Sequence, residues 1–265
     1  MSDTVAMKKI NFSLLLLFIS YCTFGKIVVL DGLMYNHVGA SGQIIRNKIR
    51  VRNEGTKETR IIIYKQDYLP SCDGELYQDS SSSIHSLSKW LTTTIDEKSL
   101  LPNEEVEIGY TISIPKDVKP EQAYWATLMI EESTPIVEEN RGGLKISSKV
   151  RYAIGLIADI GDTVSPRLSF ENISYKKIDS ATTTLQIKIK NGGKFISRTK
   201  NTIEVYNQSG TKLKTIETTY RRIYPNSCNS FEANLGQLSK GDYYAVIVAD
   251  NGKELFGTNV NIKVE

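Results

Sequence analysis

Ile49-Arg-Val-Arg-Asn53-Glu-Gly55 returns later in the chain as Ile187-Lys-Ile-Lys-Asn191-Gly-Gly193. In each copy apolar and basic residues alternate, as on a strand with one dry face. Each run then stops at Asn followed within two residues by Gly, which takes a positive φ in a turn at no steric cost. Two further landmarks repeat in the same order. Leu101-Pro102-Asn103 returns as Tyr224-Pro225-Asn226, a Pro-started turn that feeds a strand, and Ala123-Tyr124-Trp125-Ala126 returns as Asp242-Tyr243-Tyr244-Ala245, a strand opened by aromatics. Three landmarks in one order read as two copies of one unit, not as a single β domain of about 240 residues.

The segments around the landmarks carry the same period of two. Ile45, Asn47, Ile49 and Val51 alternate with Arg46, Lys48, Arg50 and Arg52. Val106, Ile108, Tyr110, Ile112 and Ile114 alternate with Glu107, Gly109, Thr111 and Ser113, and Leu185, Ile187 and Ile189 with Gln186, Lys188 and Lys190. No 3.6-residue apolar stripe of about 12 residues or more interrupts them, so helices should be short or absent. The expected fold is all-β: two tandem immunoglobulin-like β-sandwich domains of about 100 residues each, after a signal peptide. The polar stretch Asp159-Ile-Gly-Asp-Thr-Val-Ser-Pro166 separates the copies. The boundaries expected are 26–160 for the first domain, 161–166 for the linker and 167–265 for the second.

The longest apolar run, Phe12 to Tyr21, follows Lys8-Lys9 and precedes Thr23 and Gly25. It is too short for a bilayer of about 30 Å but has the basic start, apolar middle and small residues of a secretory signal. Residues 1–25 are therefore expected to be a signal peptide cleaved after Gly25. Tyr21 stands where a bacterial lipobox ending at Cys22 would carry Gly or Ala, which weighs against lipidation there. No second stretch would anchor the mature chain, so a periplasmic or cell-surface protein with no transmembrane anchor is expected. With 40% hydrophobic and 24% charged residues the composition is that of an ordinary globular chain, which excludes disordered and collagen-like classes. Two histidines and three cysteines are too few for a Cys/His zinc site. Cys72 and Cys228 fall in different expected domains and are read as two unpaired thiols, with an interdomain bridge as the alternative. Residues 26–165 carry 16 Lys/Arg against 20 Asp/Glu, and 166–265 carry 15 against 9. Opposite charges on the halves favour mutual attraction over nucleic-acid binding.

Val51-Arg-Asn53-Glu-Gly, Leu101-Pro-Asn-Glu-Glu-Val-Glu-Ile-Gly-Tyr-Thr-Ile-Ser-Ile-Pro115 and Tyr124-Trp-Ala-Thr-Leu-Met-Ile-Glu-Glu132 resemble the first domain of PapD-like periplasmic chaperones and of two-domain WxL-interacting surface proteins. Asn191-Gly-Gly, Val205-Tyr-Asn-Gln-Ser-Gly210 and Leu238-Ser-Lys-Gly-Asp-Tyr-Tyr244 resemble the second domain of the latter. The second half also resembles the C-terminal sorting domains of Bacteroidetes secreted proteins, without their Pro-Asn-Pro opening. The resemblance implies immunoglobulin-like sandwiches and a protein partner. The chaperones' carboxylate anchor, an Arg on the first strand and a Lys on the last strand of domain one, does not carry over. Lys26 to Gln43 holds no Arg, and the last strand reads Val150-Arg-Tyr-Ala-Ile-Gly-Leu156.

Residues that invite chemistry are few. Ser80-Ser-Ser-Ser83 with His85 lacks a Gly-x-Ser-x-Gly elbow and an orienting third group, so a serine-rich loop is the expectation. The acid pairs Glu131-Glu132 and Glu138-Glu139 lack EF-hand spacing. Tyr124 and Trp125, adjacent on a strand, must point to opposite faces, one into the core and the other either covered by a loop or open to a ligand. Lys188, Lys190, Lys194, Arg198 and Lys200 form a basic region, either a solvated strand face or a contact for anionic polymers. Leu144 to Leu156 alternates over 13 residues with one break at Ser148. At about 3.3 Å per residue that is about 43 Å of strand. Its excess could pair with another chain, which makes Leu144, Ile146, Val150, Tyr152 and Ile154 the candidate partner-binding residues. Alternatively the ribbon only completes the sandwich. The functional expectation is a secreted non-enzymatic chaperone-like or adaptor protein that binds an extracytoplasmic protein by strand addition, with a cell-wall or glycan-binding surface module as the alternative. No catalytic residue, metal or cofactor is expected.

Overall fold

The computed structural model describes residues 27–79, 83–119, 121–133, 137–141, 144–162, 167–177 and 183–264, with the backbone alone at 137–141 and 144–148. The expected signal peptide 1–25 lies outside the described residues. The first half carries β1 Ile27–Val29, β2 Met34–Gly39, β3 Ile44–Asn53, β4 Thr59–Pro70, β5 Glu75–Gln78, β6 Leu91–Thr93, β7 Glu97–Leu100, β8 Glu105–Ser113, β9 Gln122–Glu132, β10 Val137–Arg141, β11 Leu144–Ser148 and β12 Arg151–Ile160. The second carries β13 Leu168–Lys177, β14 Thr183–Asn191, β15 Ser197–Asn207, β16 Lys212–Glu217, β17 Arg221–Ile223, β18 Cys228–Gly236, β19 Gly241–Asp250 and β20 Leu255–Val264. Among the described residues the one helical element is a 3-10 turn at Ser88–Trp90.

In the first half the strands form a sheet ordered β1-β3-β8-β6 and a second ordered β2-β12-β9-β4-β5, with β7 beside β4. In the second half the sheets run β13-β14-β18 and β16-β15-β19-β20, with β17 beside β15. Both are two-sheet immunoglobulin-like sandwiches. The alternation read from the sequence is the core: Ile49, Val51, Ile108, Tyr110 and Ile112 are buried in the first sandwich and Leu185, Ile187 and Ile189 in the second. Each such side chain withdrawn from water contributes about 1.5–3 kcal/mol before chain entropy is set against it.

The repeated landmarks fold into one repeated clasp. Asn53 is fully buried; its Nδ2 donates to Lys57 O (2.8 Å) and Leu100 O (2.9 Å), and its Oδ1 accepts from Gly55 N (2.9 Å). Asn191, also fully buried, donates to Phe195 O (2.7 Å) and Ile223 O (2.9 Å) and accepts from Gly193 N (2.8 Å). Asn103 and Asn226, after the repeated prolines, take positive φ of 62° and 58°. Their N–H groups donate to Asn53 O and Asn191 O, both at 2.7 Å.

The chain enters the first sandwich through one sheet and crosses to the other. β1 pairs antiparallel with β3, and β2 then lies parallel to β12, Met34 opposite Gly155 through Gly39 opposite Ile160. A Cβ at Gly155 would sit 2.5 Å from Met34 Sδ, so the Met34 side chain occupies the space that this glycine leaves. The 13-residue ribbon expected from Leu144 to Leu156 is two strands. Among the described residues β11 pairs only with β10, and β12 begins at Arg151 opposite Glu131 of β9. The break falls just after Ser148, where the alternation fails.

Candidate functional site: an open strand edge beside an interdomain joint

β12 has one neighbour along its whole length and a second along only part of it. It pairs with β9 from Arg151 to Ile160, but β2 covers its other side only from Gly155 to Ile160. Gly155 donates its N–H to Leu33 O at 2.9 Å, whereas Val150 O accepts from Glu132 N in β9 at 3.3 Å. Because main-chain groups alternate in direction along a strand, Arg151 and Ala153 present their N–H and C=O on the side of β2, where no described strand stands beside them.

Side chains around this edge are held in place. Arg151 and Lys149 both bind Glu131, at 2.7 Å and 3.1 Å, and Tyr64 donates its hydroxyl to the same carboxylate at 2.9 Å. Burial alone would raise the Glu131 carboxyl. The hydrogen bonds from Arg151, Lys149 and Tyr64 outweigh it and hold the group below its ordinary range. On the inward face Tyr152 donates to Ile27 O at 2.6 Å, tying β12 to the first residue of β1 in the opposite sheet.

The five residues expected to touch a partner are placed unevenly. Ile154 is fully buried in the core and Tyr152 packs against it, so neither offers its side chain outward. Positions 152 and 154 therefore face the sandwich interior, and there the edge offers main chain. Val150 is half-buried just before the strand. The side chains of Leu144 and Ile146 lie outside the described residues.

A second feature was missed. Cys72, in the turn between β4 and β5, is disulfide-bonded to Cys228 at the start of β18, with Cα atoms 4.4 Å apart. The reading of two unpaired thiols is thereby corrected. The two sandwiches dock where the cysteines meet, through a small apolar cluster of Ala123, Trp125 and Ile157 from the first and Phe195 and Tyr224 from the second. Trp125 lies at its centre. Its indole N–H donates to Tyr68 O at 2.7 Å, its ring stacks on His85 at 4.6 Å, and Tyr224 meets it edge-on at 5.0 Å. Ala123 N donates to Lys194 O at 2.9 Å, a main-chain bond from one sandwich to the other. Burial pushes the Tyr224 hydroxyl up to about 12.

His85 serves this joint: its Nδ1 bonds Ala123 O at 2.8 Å, and burial lowers its pKa while that carbonyl partly offsets the effect. Ser83 Oγ accepts from the His85 main-chain N–H, so the pair forms a turn and not a nucleophile with its base; Ser80–Ser82 lie outside the described residues. Tyr124 points the other way, into the core against Trp90 at 4.4 Å. Trp125 is buried and gives a sugar no surface platform. The basic residues do not form one patch. Lys188 and Lys190 lie on β14 and Arg198 and Lys200 on β15, in different sheets, and the latter two stand over the Tyr220 ring. Among the described residues no three His, Cys, Asp or Glu gather as a metal site, and no helix is long and apolar enough to cross a membrane. The Glu138 and Glu139 side chains lie outside the described residues.

No protein-family model matches the chain, and no curated protein matches it. Solved structures similar to it include fimbrial chaperones. The class 5 fimbriae chaperone CfaA is 16% identical, with 90% of this chain and 99% of that chain covered and a TM-score of 0.46. The CsuC–CsuE chaperone–tip adhesion subunit pre-assembly complex of Acinetobacter baumannii Csu pili gives 14% identity, coverage of 88% and 97%, and a TM-score of 0.46. A protein of unknown function from Porphyromonas gingivalis gives 12%, coverage of 91% and 100%, and 0.35.

Proposed function

We propose that this chain is a secreted, non-enzymatic binding protein of the periplasm or cell surface, chaperone-like or adaptor in role, that takes up a strand of an extracytoplasmic protein partner along β12. The observation that carries the reading is the register of β12: paired on both sides from Gly155 onward, it has β9 alone beside Arg151–Ile154 among the described residues. An added strand would bond to the outward main-chain groups of Arg151 and Ala153, which gives affinity without demanding one partner sequence. Residues 1–25 are taken as the export signal, 26–160 and 167–265 as the two domains and 161–166 as the link between them. The last division fits the separation of buried apolar residues into one core ending at Ile160 and another beginning at Leu185.

The test is Ala153→Pro. It removes one outward N–H from the open edge and leaves the ladder to β9, which runs through the even positions, in place; proline is tolerated at sheet edges for this reason. The protein is used as bait in envelope extract, with a photo-crosslinking residue at position 153. The expected result is an extended partner segment crosslinked at 153, and capture lost in Ala153→Pro at unchanged melting temperature. Capture that survives Ala153→Pro, or crosslinks that fail to reach position 153, would overturn the reading.

A further inference from the structure

The joint between the sandwiches is held by two unlike devices side by side. One is apolar and small: five buried residues, Ala123, Trp125, Ile157, Phe195 and Tyr224. Contacts of that kind between domains of one chain ordinarily permit relative motion. The other is the covalent bridge, which sits on the rim of the joint. Cys72 occupies a surface turn closed by Ser71 N–H to Gly74 O (2.7 Å), and Cys228 opens β18. Both are only half-buried, and both line an open cleft of about 300 Å³ together with Tyr68, Glu75, Lys188 and Asn229. Tyr68 links the two devices, because its ring meets Tyr224 at 5.0 Å and its carbonyl accepts the Trp125 indole N–H.

We propose that the Cys72–Cys228 bridge is a reversible covalent clasp, open to exchange with a dithiol, whose state decides whether the two sandwiches move as one body. A dithiol's thiolate attacks one sulfur of the bridge, forming a mixed disulfide and releasing the other cysteine as thiolate. The dithiol's second sulfur then displaces the first cysteine. Two electrons and two protons pass from the dithiol to Cys72 and Cys228, and the dithiol leaves as its own disulfide. Neither core holds a cysteine, so each sandwich keeps its interior when the clasp opens. What changes is the joint, which then rests on non-covalent contacts, among them its apolar cluster, the Tyr68–Tyr224 ring contact and the Ala123–Lys194 bond, and exchanges between docked and undocked forms. Access of the cleft to solvent makes the bridge a site for a dithiol oxidoreductase of the compartment into which the chain is exported.

Trp125 reports the joint directly, since the chain has two tryptophans and Trp90 lies away from it, against Tyr124. In a Trp90→Phe background, native protein is treated with dithiothreitol without denaturant and thiols are counted. Two new thiols per chain are expected, with a red shift of Trp125 emission, stronger acrylamide quenching and unchanged far-UV circular dichroism, all reversed by reoxidation. The Cys72→Ser/Cys228→Ser variant should show the open-state emission at all times. Complete reduction with unchanged Trp125 emission would overturn the proposal, because the apolar cluster would then hold the joint unaided. Resistance of the bridge to dithiothreitol in the folded protein, or loss of secondary structure on reduction, would overturn it equally.

Discussion

Replacing Asn53 by Ala removes three hydrogen bonds from a side chain with no exposure to solvent, and each can be followed to the group it leaves behind. The bond to Leu100 O is buried, so that carbonyl loses its partner where water does not reach, at about 1–3 kcal/mol. Lys57 O and Gly55 N are partly open and recover hydration, which limits each to about 0.5 kcal/mol. The total is about 2–4 kcal/mol, a large share of the stability of an ordinary domain. For a sandwich of this size, at about 4 °C per kcal/mol, the first transition should fall by about 8–16 °C. Trp90 packs in the first sandwich, whereas Trp125 also meets Tyr224 of the second, so calorimetry of the two transitions, rather than fluorescence, assigns the shift. Asn191→Ala removes the same three bonds from the second sandwich and should lower the other calorimetric transition. Asn53→Asp is the sharper control. It turns the amide donor toward Lys57 O and Leu100 O into an acceptor, so at neutral pH it should cost more than Ala, and the difference should shrink in acid as the carboxylate protonates. An Asn53→Ala protein that melts within about 2 °C of the parent, equivalent to about 0.5 kcal/mol, would refute the account.

Four shorter expectations follow from the same structure. Ile154→Lys puts an unpaired charge into the core and should destabilise the first sandwich by about 3 kcal/mol or more in urea titration, unlike Ala153→Pro one position away. The Glu131 carboxyl is depressed in the folded state, so its contribution is present above its unfolded value and lost as pH falls through its folded one; Glu131→Gln should flatten the acid limb of the melting-temperature profile. Asp159 shifts the other way: burial raises it, Lys253 only partly opposes this, and its Oδ1 has no hydrogen-bond partner among the described residues, so the charged form is penalised at neutral pH. Asp159→Asn should therefore raise the melting temperature at pH 7 and change it little in acid. His37 and His85 are both lowered by burial, so protonation favours the unfolded chain once pH drops below the ordinary histidine value; proton titration of the two imidazoles by NMR should place both below that value.

The sandwich was legible because its signal is local and repeated. A strand with one wet face writes its burial into every second residue, as in Ile187 and Ile189 against Lys188 and Lys190, and the Asn-x-Gly and Pro-Asn landmarks mark the same turns in each half. The purpose of those asparagines was not legible. A turn explains Gly55, but nothing in the spacing says that Asn53 points inward and binds the carbonyl of Leu100, nearly fifty positions away along the chain. The even row at Tyr152 and Ile154 was legible as one face, but that it turns into the core was not. Alternation defines two sides of a strand without saying which is covered.

The joint had a sequence signal of a different kind. Gln122 to Glu132 does not alternate: Ala123, Trp125, Thr127 and Met129 stand on the face opposite Tyr124, Ala126, Leu128 and Ile130, and both rows are buried. A strand apolar on both faces needs cover on both. One cover is the facing sheet of its own sandwich. At Trp125 the other is Tyr224 of the second, while at Glu131 polarity returns and the carboxylate meets Lys149 and Arg151 instead. The outward row of β9 thus grades from a docked, apolar end to a charged end, and the open stretch of β12 lies alongside the charged end, opposite Glu131 through Leu128. A cysteine pair bridging the two halves is then a consequence of where they dock. Since docking is set by the outward rows, the place to look for such a bridge in a sequence is wherever strand alternation fails by becoming apolar on both sides.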